Sequence, residues 1–310
     1  NLLFREARKP LHRGRGWGGS LILLLLVYLL AIRPYLQSRP SFTVKDTLPD
    51  GGGKKATVII LGGQSNASGC SLDEYLQKNV SAEQYAEYQS GYDNVYINYL
   101  SGQHASGEFV KCATLQGEIE GGFGPELGLA EKLSGAYPDR TFFIIKFAWG
   151  GTNLFDQWLS PSSKGKTGDL YKQFTAYVET SIRYLISKNY GVCIEGMCWM
   201  QGESDTTDFK ADRYYENQTR FAAYLREDLA KYSEEGGIYF IDAGISNSPY
   251  CEPAYPKIND AKEAFANDSS LNMYFSTIAA GLTVHLEPEG EPDWGHYDSL
   301  SVLKLGHMFG

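Results

Sequence analysis

From Ala56 onward the hydrophobic positions of this chain change period at regular intervals. Thr57-Val58-Ile59-Ile60-Leu61 is a short unbroken apolar run rich in β-branched residues, the pattern of a strand covered on both faces, and residues 141–147 form a second. Residues 124–136 read as a helix opening at Pro125, a favoured first-turn residue. Residues 171–189 place Phe174, Val178, Ile182 and Leu185 on one helical stripe, which Gly191 stops. A third strand is expected over 192–200, a long helix over 209–232, a fourth strand over 238–241 and a closing helix over 299–309. This alternation predicts an α/β fold of three α/β/α layers, with a mostly parallel open sheet. In such sheets ligands sit beyond the carboxyl ends of the strands, which is where chemistry is to be sought.

The N-terminal part follows another pattern. An uncharged stretch from Trp17 to Ile32, apolar throughout from Leu21, is preceded by Arg5, Arg8, Lys9, Arg13 and Arg15. Apolarity on every face does not suit a soluble helix. The stretch reads as a signal peptide or signal anchor over 17–33, behind a basic cytoplasmic segment over 1–16. No A-x-A site follows Ile32, which favours an uncleaved anchor, with the rest of the chain extracytoplasmic, or secreted were the segment removed. Residues 34–55, with Pro34, Pro40, Pro49 and three glycines, are expected as a linker to a domain over 56–310. At 310 residues the chain has room for one substantial domain with such an extension. Charge divides at the same place: residues 1–55 hold 10 Lys+Arg against 3 Asp+Glu, and the remaining 255 hold 18 against 34. So acidic a body repels phosphate backbones, and no nucleic-acid partner is expected. The five cysteines, an odd number, show no zinc spacing; a Cys70–Cys112 bridge is one pairing they allow.

Five loops at strand ends or helix starts carry candidate chemistry. The first strand runs into Gly62-Gly63-Gln64-Ser65-Asn66, where two glycines permit a sharp turn that exposes the Ser65 hydroxyl. A serine is a poor nucleophile without a base, and Asp293-Trp294-Gly295-His296 puts a carboxylate three residues before an imidazole. Trp199-Met200-Gln201-Gly202-Glu203-Ser204-Asp205 offers the Gln201 amide at the sheet edge, where an oxyanion needs a donor. Glu203 and Asp205 also admit a reading as paired carboxylates for glycoside hydrolysis, but that would leave Ser65 and His296 idle. Ala148-Trp149-Gly150-Gly151-Thr152-Asn153-Leu154 is a further glycine turn at the same edge, and Gly121-Gly122-Phe123-Gly124-Pro125-Glu126 presents backbone N–H groups at a helix start.

With these residues in this order, the sequence resembles the SGNH hydrolases, and within them the sialate O-acetylesterase-like branch related to carbohydrate esterase family six. The likeness runs from about Ala56 to Gly306 through GGQSN, FGPELG, AWGGTNL, WMQGESD and DWGHYDS. It implies a flavodoxin-like fold and a Ser65, His296 and Asp293 triad. It further implies an oxyanion hole made by the N–H groups of Ser65 and Gly124 (or Gly122) and the Gln201 amide. Gln64, Asn66, Gly151, Thr152 and Glu203 are expected beside the substrate. The activity implied is removal of O-acetyl groups from carbohydrates with no metal and no cofactor. Rival readings are a lipase or thioesterase of the same fold acting on longer acyl chains, and a non-catalytic, membrane-tethered carbohydrate-binding protein. Residues 247–291 match nothing recognisable and leave the substrate pocket undefined.

Overall fold

The computed structural model describes residues 40–161 and 165–310. Its sheet contains β1 (Lys55–Gly63), β3 (Val95–Ser101), β4 (His104–Ala105), β5 (Val110–Lys111), β7 (Phe142–Ala148), β8 (Gly191–Met200), β9 (Tyr239–Ala243) and β10 (Asn272–Phe275). The order is β10-β9-β8-β1-β7-β3-β4, with β5 also on β3. All pairings from β10 to β3 are parallel, and only the short β4 and β5 run antiparallel. A separate antiparallel pair joins β2 (Ser71–Leu72) to β6 (Gly122–Phe123). Eight α-helices are found among the described residues: α1 (Ser65–Ser68), α2 (Asp73–Asn79), α3 (Ala82–Ser90), α4 (Glu126–Ala136), α5 (Asp169–Ser187), α6 (Tyr214–Leu229), α7 (Tyr255–Asn267) and α8 (Ser299–Phe309). The fold is therefore mixed α/β around a mostly parallel sheet.

Burial explains the unbroken apolar runs. Each residue of β7 is buried, and Phe174, Val178, Ile182 and Leu185 of α5 lie in the core. On the α5/α6 side, Trp199 of β8 packs tilted on Phe221 of α6, centroids 4.7 Å apart, and edge-on to Trp158 at 5.2 Å. On the other side, α4 and α8 approach until only glycine fits. A Cβ on Gly128 would stand 2.0 Å from the Leu303 carbonyl oxygen, and one on Gly306 would stand 2.1 Å from that of Pro125. Gly128 of the FGPELG run thus serves helix contact.

Register places the functional edge. Gly63 of β1 pairs with Ala148 of β7 on one side and Met200 of β8 on the other, so the three central strands end level. The backbone ties their exits together: Gln64 N–H donates to the Met200 carbonyl (3.0 Å) and Trp149 N–H to that of Gly63 (3.1 Å). The loops carrying Ser65, Gly151 and Gln201 consequently leave side by side.

Several expectations change. The helix expected over 209–232 is broken into a 3-10 segment at Asp208–Arg213, α6, and a 3-10 turn at Ala230–Tyr232. Strands β3 and β10 and helices α2, α3 and α7 have no counterpart in the hydrophobic pattern. β3 alternates Tyr96, Asn98 and Tyr99 with aliphatics, and the buried Asn98 is satisfied by Ser181, Ser106 and Tyr177 rather than by sequence neighbours. Of the expected linker, the part from Ser41 belongs to the folded unit. Phe42 sits edge-on to Tyr177, Leu48 is buried, and the Thr47 and Leu48 N–H groups donate to the Tyr184 hydroxyl. The pairing of Cys70 with Cys112 is absent: all five cysteines are free, and the Cys112 thiol donates to the Glu126 carbonyl. Segments 1–16 and 17–33 lie outside the described residues. Among the described residues no helix is long and apolar enough to cross a membrane.

Gly63 sits at φ +141°, and a Cβ there would lie 1.9 Å from the Met200 carbonyl oxygen. Gly63→Ala is expected to lower the unfolding free energy by about 2–4 kcal/mol, combining backbone strain with displacement of β8. Urea denaturation would measure it; a loss below about 0.5 kcal/mol would mean the strand ends are not locked.

Candidate active site

Ser65 opens the short helix α1 immediately after the Gly63 turn, and it is almost fully buried. It lines a cavity of about 410 Å³ together with Gln64, Cys70, Glu118, Ile119, Gly150, Gly151, Glu203, Ser204, Tyr250, Asp293, Gly295 and His296. Residues 65 and 296, remote in sequence, thus open on one space. No hydrogen bond joins the two side chains; catalytic hydrogen bonds commonly tighten only once substrate is bound.

His296 is oriented by its own loop. Its Nδ1 lies 2.5 Å from Asp293 Oδ2, while the Gly295 N–H donates to Asp293 Oδ1 at 2.9 Å. Partial burial works against the Asp293 charge, but the His296 and Gly295 hydrogen bonds outweigh it and hold the carboxyl below its ordinary range. The acid therefore remains ionised at neutral pH and accepts the Nδ1–H, which leaves Nε2 to exchange protons.

One side chain attaches this loop to the serine loop. The Asn66 amide donates to the Gly295 carbonyl (3.2 Å) and to Glu203 Oε1 (2.7 Å), and its oxygen accepts the Tyr297 N–H (3.0 Å). Both neighbours of His296 are thereby fixed to the residue after Ser65. Burial pushes the Glu203 carboxyl up, and its Oε2 is buried without a partner. Ser71 adds a second tie, its hydroxyl donating to the Tyr297 carbonyl at 2.7 Å.

Gln201 and Gly124, the expected oxyanion donors, have their amide hydrogens taken by protein acceptors. Gln201 is fully buried behind the cavity: Nε2 donates to Asp205 Oδ2 (2.6 Å) and to the Thr152 carbonyl (3.0 Å), and Oε1 accepts from the Tyr214 hydroxyl. The two amide hydrogens are shared among three buried acceptors, Asp205 Oδ2, the Thr152 carbonyl and, at 3.3 Å, Gln64 Oε1. Asp205, its pKa pushed up to about 6 by burial, also accepts the Leu154 and Phe155 N–H groups and so pins the turn after β7. Gly124 is likewise off the cavity, its N–H donating to Glu126 Oε1 at 2.9 Å, and the Gly122 N–H goes to the Ile119 carbonyl. Thr152 closes its own turn, donating to the Trp149 carbonyl and accepting from the Trp158 indole.

Facing the cavity instead are Gln64 and Gly151. Gln64 Oε1 accepts from Gln201 Nε2 and from the N–H groups of Gly202 and Ser204, which settles the orientation of the amide and leaves Nε2 as the end without a protein partner. The Ser65 and Gly151 N–H groups have no backbone acceptor among the described residues. Gly151 stands at φ +69°, and the preceding Gly150 N–H is held by the Glu118 carboxylate at 2.9 Å. Glu118 also accepts from the Ser68 hydroxyl. Glu118, Cys70 and Tyr250 line the cavity without having been expected there; Glu118 lies in the irregular loop three residues before the Gly121–Glu126 segment, and its spacing to the other motifs does not signal it. Burial, with Glu118 and Asp293 nearby, pushes the Cys70 thiol up to about 12, so it carries no thiolate to compete with Ser65. No cluster of metal-ligating side chains occurs among the described residues.

The chain has detectable relatives. The profile described as "carbohydrate esterase, sialic acid-specific acetylesterase" matches residues 55–310. Comparison with curated protein sequences gives no significant match. Among solved structures, a protein from Arabidopsis thaliana superposes with a TM-score of 0.59 at 19% identity, over 84% of this chain and 96% of that one. NanS follows at 0.55 and 15%, over 85% and 96%. A carbohydrate acetylesterase from Xanthomonas citri gives 0.52 and 15%, over 81% of this chain and 54% of its own. At these identities the superpositions establish a shared fold.

Removing the Asn66 carboxamide strands a buried N–H and a buried carboxylate oxygen. Asn66→Ala is expected to cost about 2–4 kcal/mol of unfolding free energy, measured by denaturant titration. A neutral result would mean that the two loops are held by other contacts.

Proposed function

The chain belongs to the sialic acid-specific acetylesterase family of carbohydrate esterases and is a carboxylic ester hydrolase; from that premise we propose that it releases acetate from O-acetylated sugars through Ser65, His296 and Asp293. The observation that carries this reading is the shared cavity: the Ser65 loop and the Asp293-bound His296 loop meet on it, tied together by Asn66.

In this mechanism His296 Nε2 takes the Ser65 proton as Oγ attacks the acetyl carbonyl carbon. The charge that develops on the carbonyl oxygen is met by the N–H groups of Ser65 and Gly151 and by Gln64 Nε2. Collapse breaks the bond to the sugar oxygen, which leaves with the proton from His296. Water then attacks the acetyl-serine, again giving its proton to His296. Acetate departs and Ser65 is restored. Asp293 fixes the imidazole tautomer and stabilises the imidazolium. Glu118 acts on the turn rather than on the substrate, holding Gly150 so that the next N–H is presented. Ile119 and Tyr250 are the large apolar groups of the main cavity, little surface for a long acyl chain, which supports acetyl over the lipase and thioesterase reading. An oriented histidine beside the serine also speaks against a purely binding role.

Ser65→Ala is expected to abolish hydrolysis of 4-nitrophenyl acetate and labelling by a fluorophosphonate probe; retained labelling would dismiss the triad. Asp293→Asn should lower kcat by about 10³–10⁴-fold by losing the tautomer control. The two glutamines should separate in kcat. Gln64→Ala removes a donor aimed at the reacting oxygen and should cost about 10²–10³-fold in kcat, and because it also strands the Gly202 and Ser204 N–H groups it should lower stability by about 1–3 kcal/mol. Gln201→Ala leaves Asp205 short of a donor and should lower stability by about 1–3 kcal/mol. If Gln201→Ala were thermally neutral yet catalytically dead, the oxyanion assignment to Gln64 would fail.

A further inference from the structure

We infer that the sugar accepted here is uncharged and that the cleft discriminates against anionic sugars, sialic acid among them; this rests on the esterase reading above. A second cavity of about 270 Å³ shares Cys70, Ile119, Asp293 and His296 with the main one and continues past the imidazole to Glu287, Pro288 and Glu291. Across the pair, the described lining residues include five carboxylates, Glu118, Glu203, Asp293, Glu287 and Glu291, and no lysine or arginine. Recognition of a sugar carboxylate calls for a guanidinium or ammonium partner. The nearby cations are turned to other uses. Lys210 Nζ lies 3.5 Å from the Ser204 carbonyl and 3.4 Å from the Thr207 hydroxyl, and Lys78 sits over the Tyr75 ring.

Four of the five carboxylates are engaged. Glu118 holds Gly150 and Ser68, Glu203 holds Asn66, Asp293 holds His296, and Glu287 accepts from Ser299 and Asn79. Glu291 has no side-chain partner among the described residues and lines the second cavity. A neutral sugar escapes this repulsion and meets the ring of Tyr250, which lines the main cavity and is 74% exposed. Trp294, between the lining residues Asp293 and Gly295, is 46% exposed and stacked on His285 at 6.0 Å. The C–H faces of a pyranose pack on such rings. Substrate class is thus set by what the rim repels and by what it lets stack.

The test compares two forms of one sugar with the whole 310-residue chain: 9-O-acetylated sialic acid as free acid and as its carboxyl methyl ester, with acetylated xylo-oligosaccharide alongside. Acetate release is the readout. The methyl ester is expected to show kcat/KM about tenfold above the free acid at low salt, from like charges several ångströms apart. The ratio should shrink in about 0.5 M NaCl, where the screening length falls to a few ångströms, and should shrink in Glu291→Gln. A free acid cleaved as fast as its methyl ester or faster overturns the inference, as does hydrolysis of 4-nitrophenyl acetate with no acetate from any uncharged sugar. Failure of the esterase reading looks different: hydrolysis of 4-nitrophenyl acetate would then be absent, or untouched by Ser65→Ala.

Discussion

The Asn66 carboxamide is the contact on which the arrangement of the site depends. It is the residue after Ser65, yet its three hydrogen bonds reach Glu203 and the two neighbours of His296. The His296 loop, 231 positions from Ser65, is tied by this buried side chain to the residue after Ser65, so that both open on one cavity. An amide suits the task because it donates and accepts at once; an aspartate would offer no donor to Glu203. Buried polar groups of this kind rigidify only when each is satisfied, and Asn66 is satisfied at both ends.

Beneath that clamp lies the level ending of β7, β1 and β8. Three loops leave at the same height, and several of their buried polar side chains bind one another. Asp205 of the β8 loop holds the β7 turn through Leu154 and Phe155. Gln201 donates to Asp205 and to the Thr152 carbonyl, and Gln64 is oriented by Gln201, Gly202 and Ser204. Tyr214 completes the stack from α6 by donating to Gln201, with Lys262 over its ring and Asp242 beside that lysine. Much of what reads as chemistry in WMQGESD is therefore scaffold. A buried carboxylate needs several donors to exist at all, and residues drawn into supplying them are not free for a substrate.

The same logic governs FGPELG. Glu126 is fully buried and paired with the fully buried Lys146 of β7, and it takes the Gly124 N–H as a further donor. Gly128 lets α8 approach. The motif stabilises the layer behind the cavity, while the exposed glycine turn after β7 supplies the backbone N–H that faces it. β7 and β8 flank β1 directly, so their loops leave beside Ser65, while Gly124 packs on the far end of α1 at Ala67 and Gly69.

Local pattern alone determined the parallel α/β frame, the positions of β1, β7 and β8, and the identity of Ser65, Asp293 and His296 as residues to watch. Those are features of period and of short spacing: an apolar run fit for burial on both faces, a glycine turn, an acid three residues before an imidazole. Strand β3 escaped because Asn98 and two tyrosines interrupt its apolar run, and Asn98 is buried only because Ser181 and Tyr177, about eighty positions away, complete its hydrogen bonds. Which amide hydrogens remain unspent was decided by tertiary structure alone. Gln64 and Gln201 are indistinguishable in a sequence, as are Gly124 and Gly151. Their difference arises from how many acceptors the fold places around each, and hydrogen-bonding capacity once committed to a buried partner is lost to the cavity.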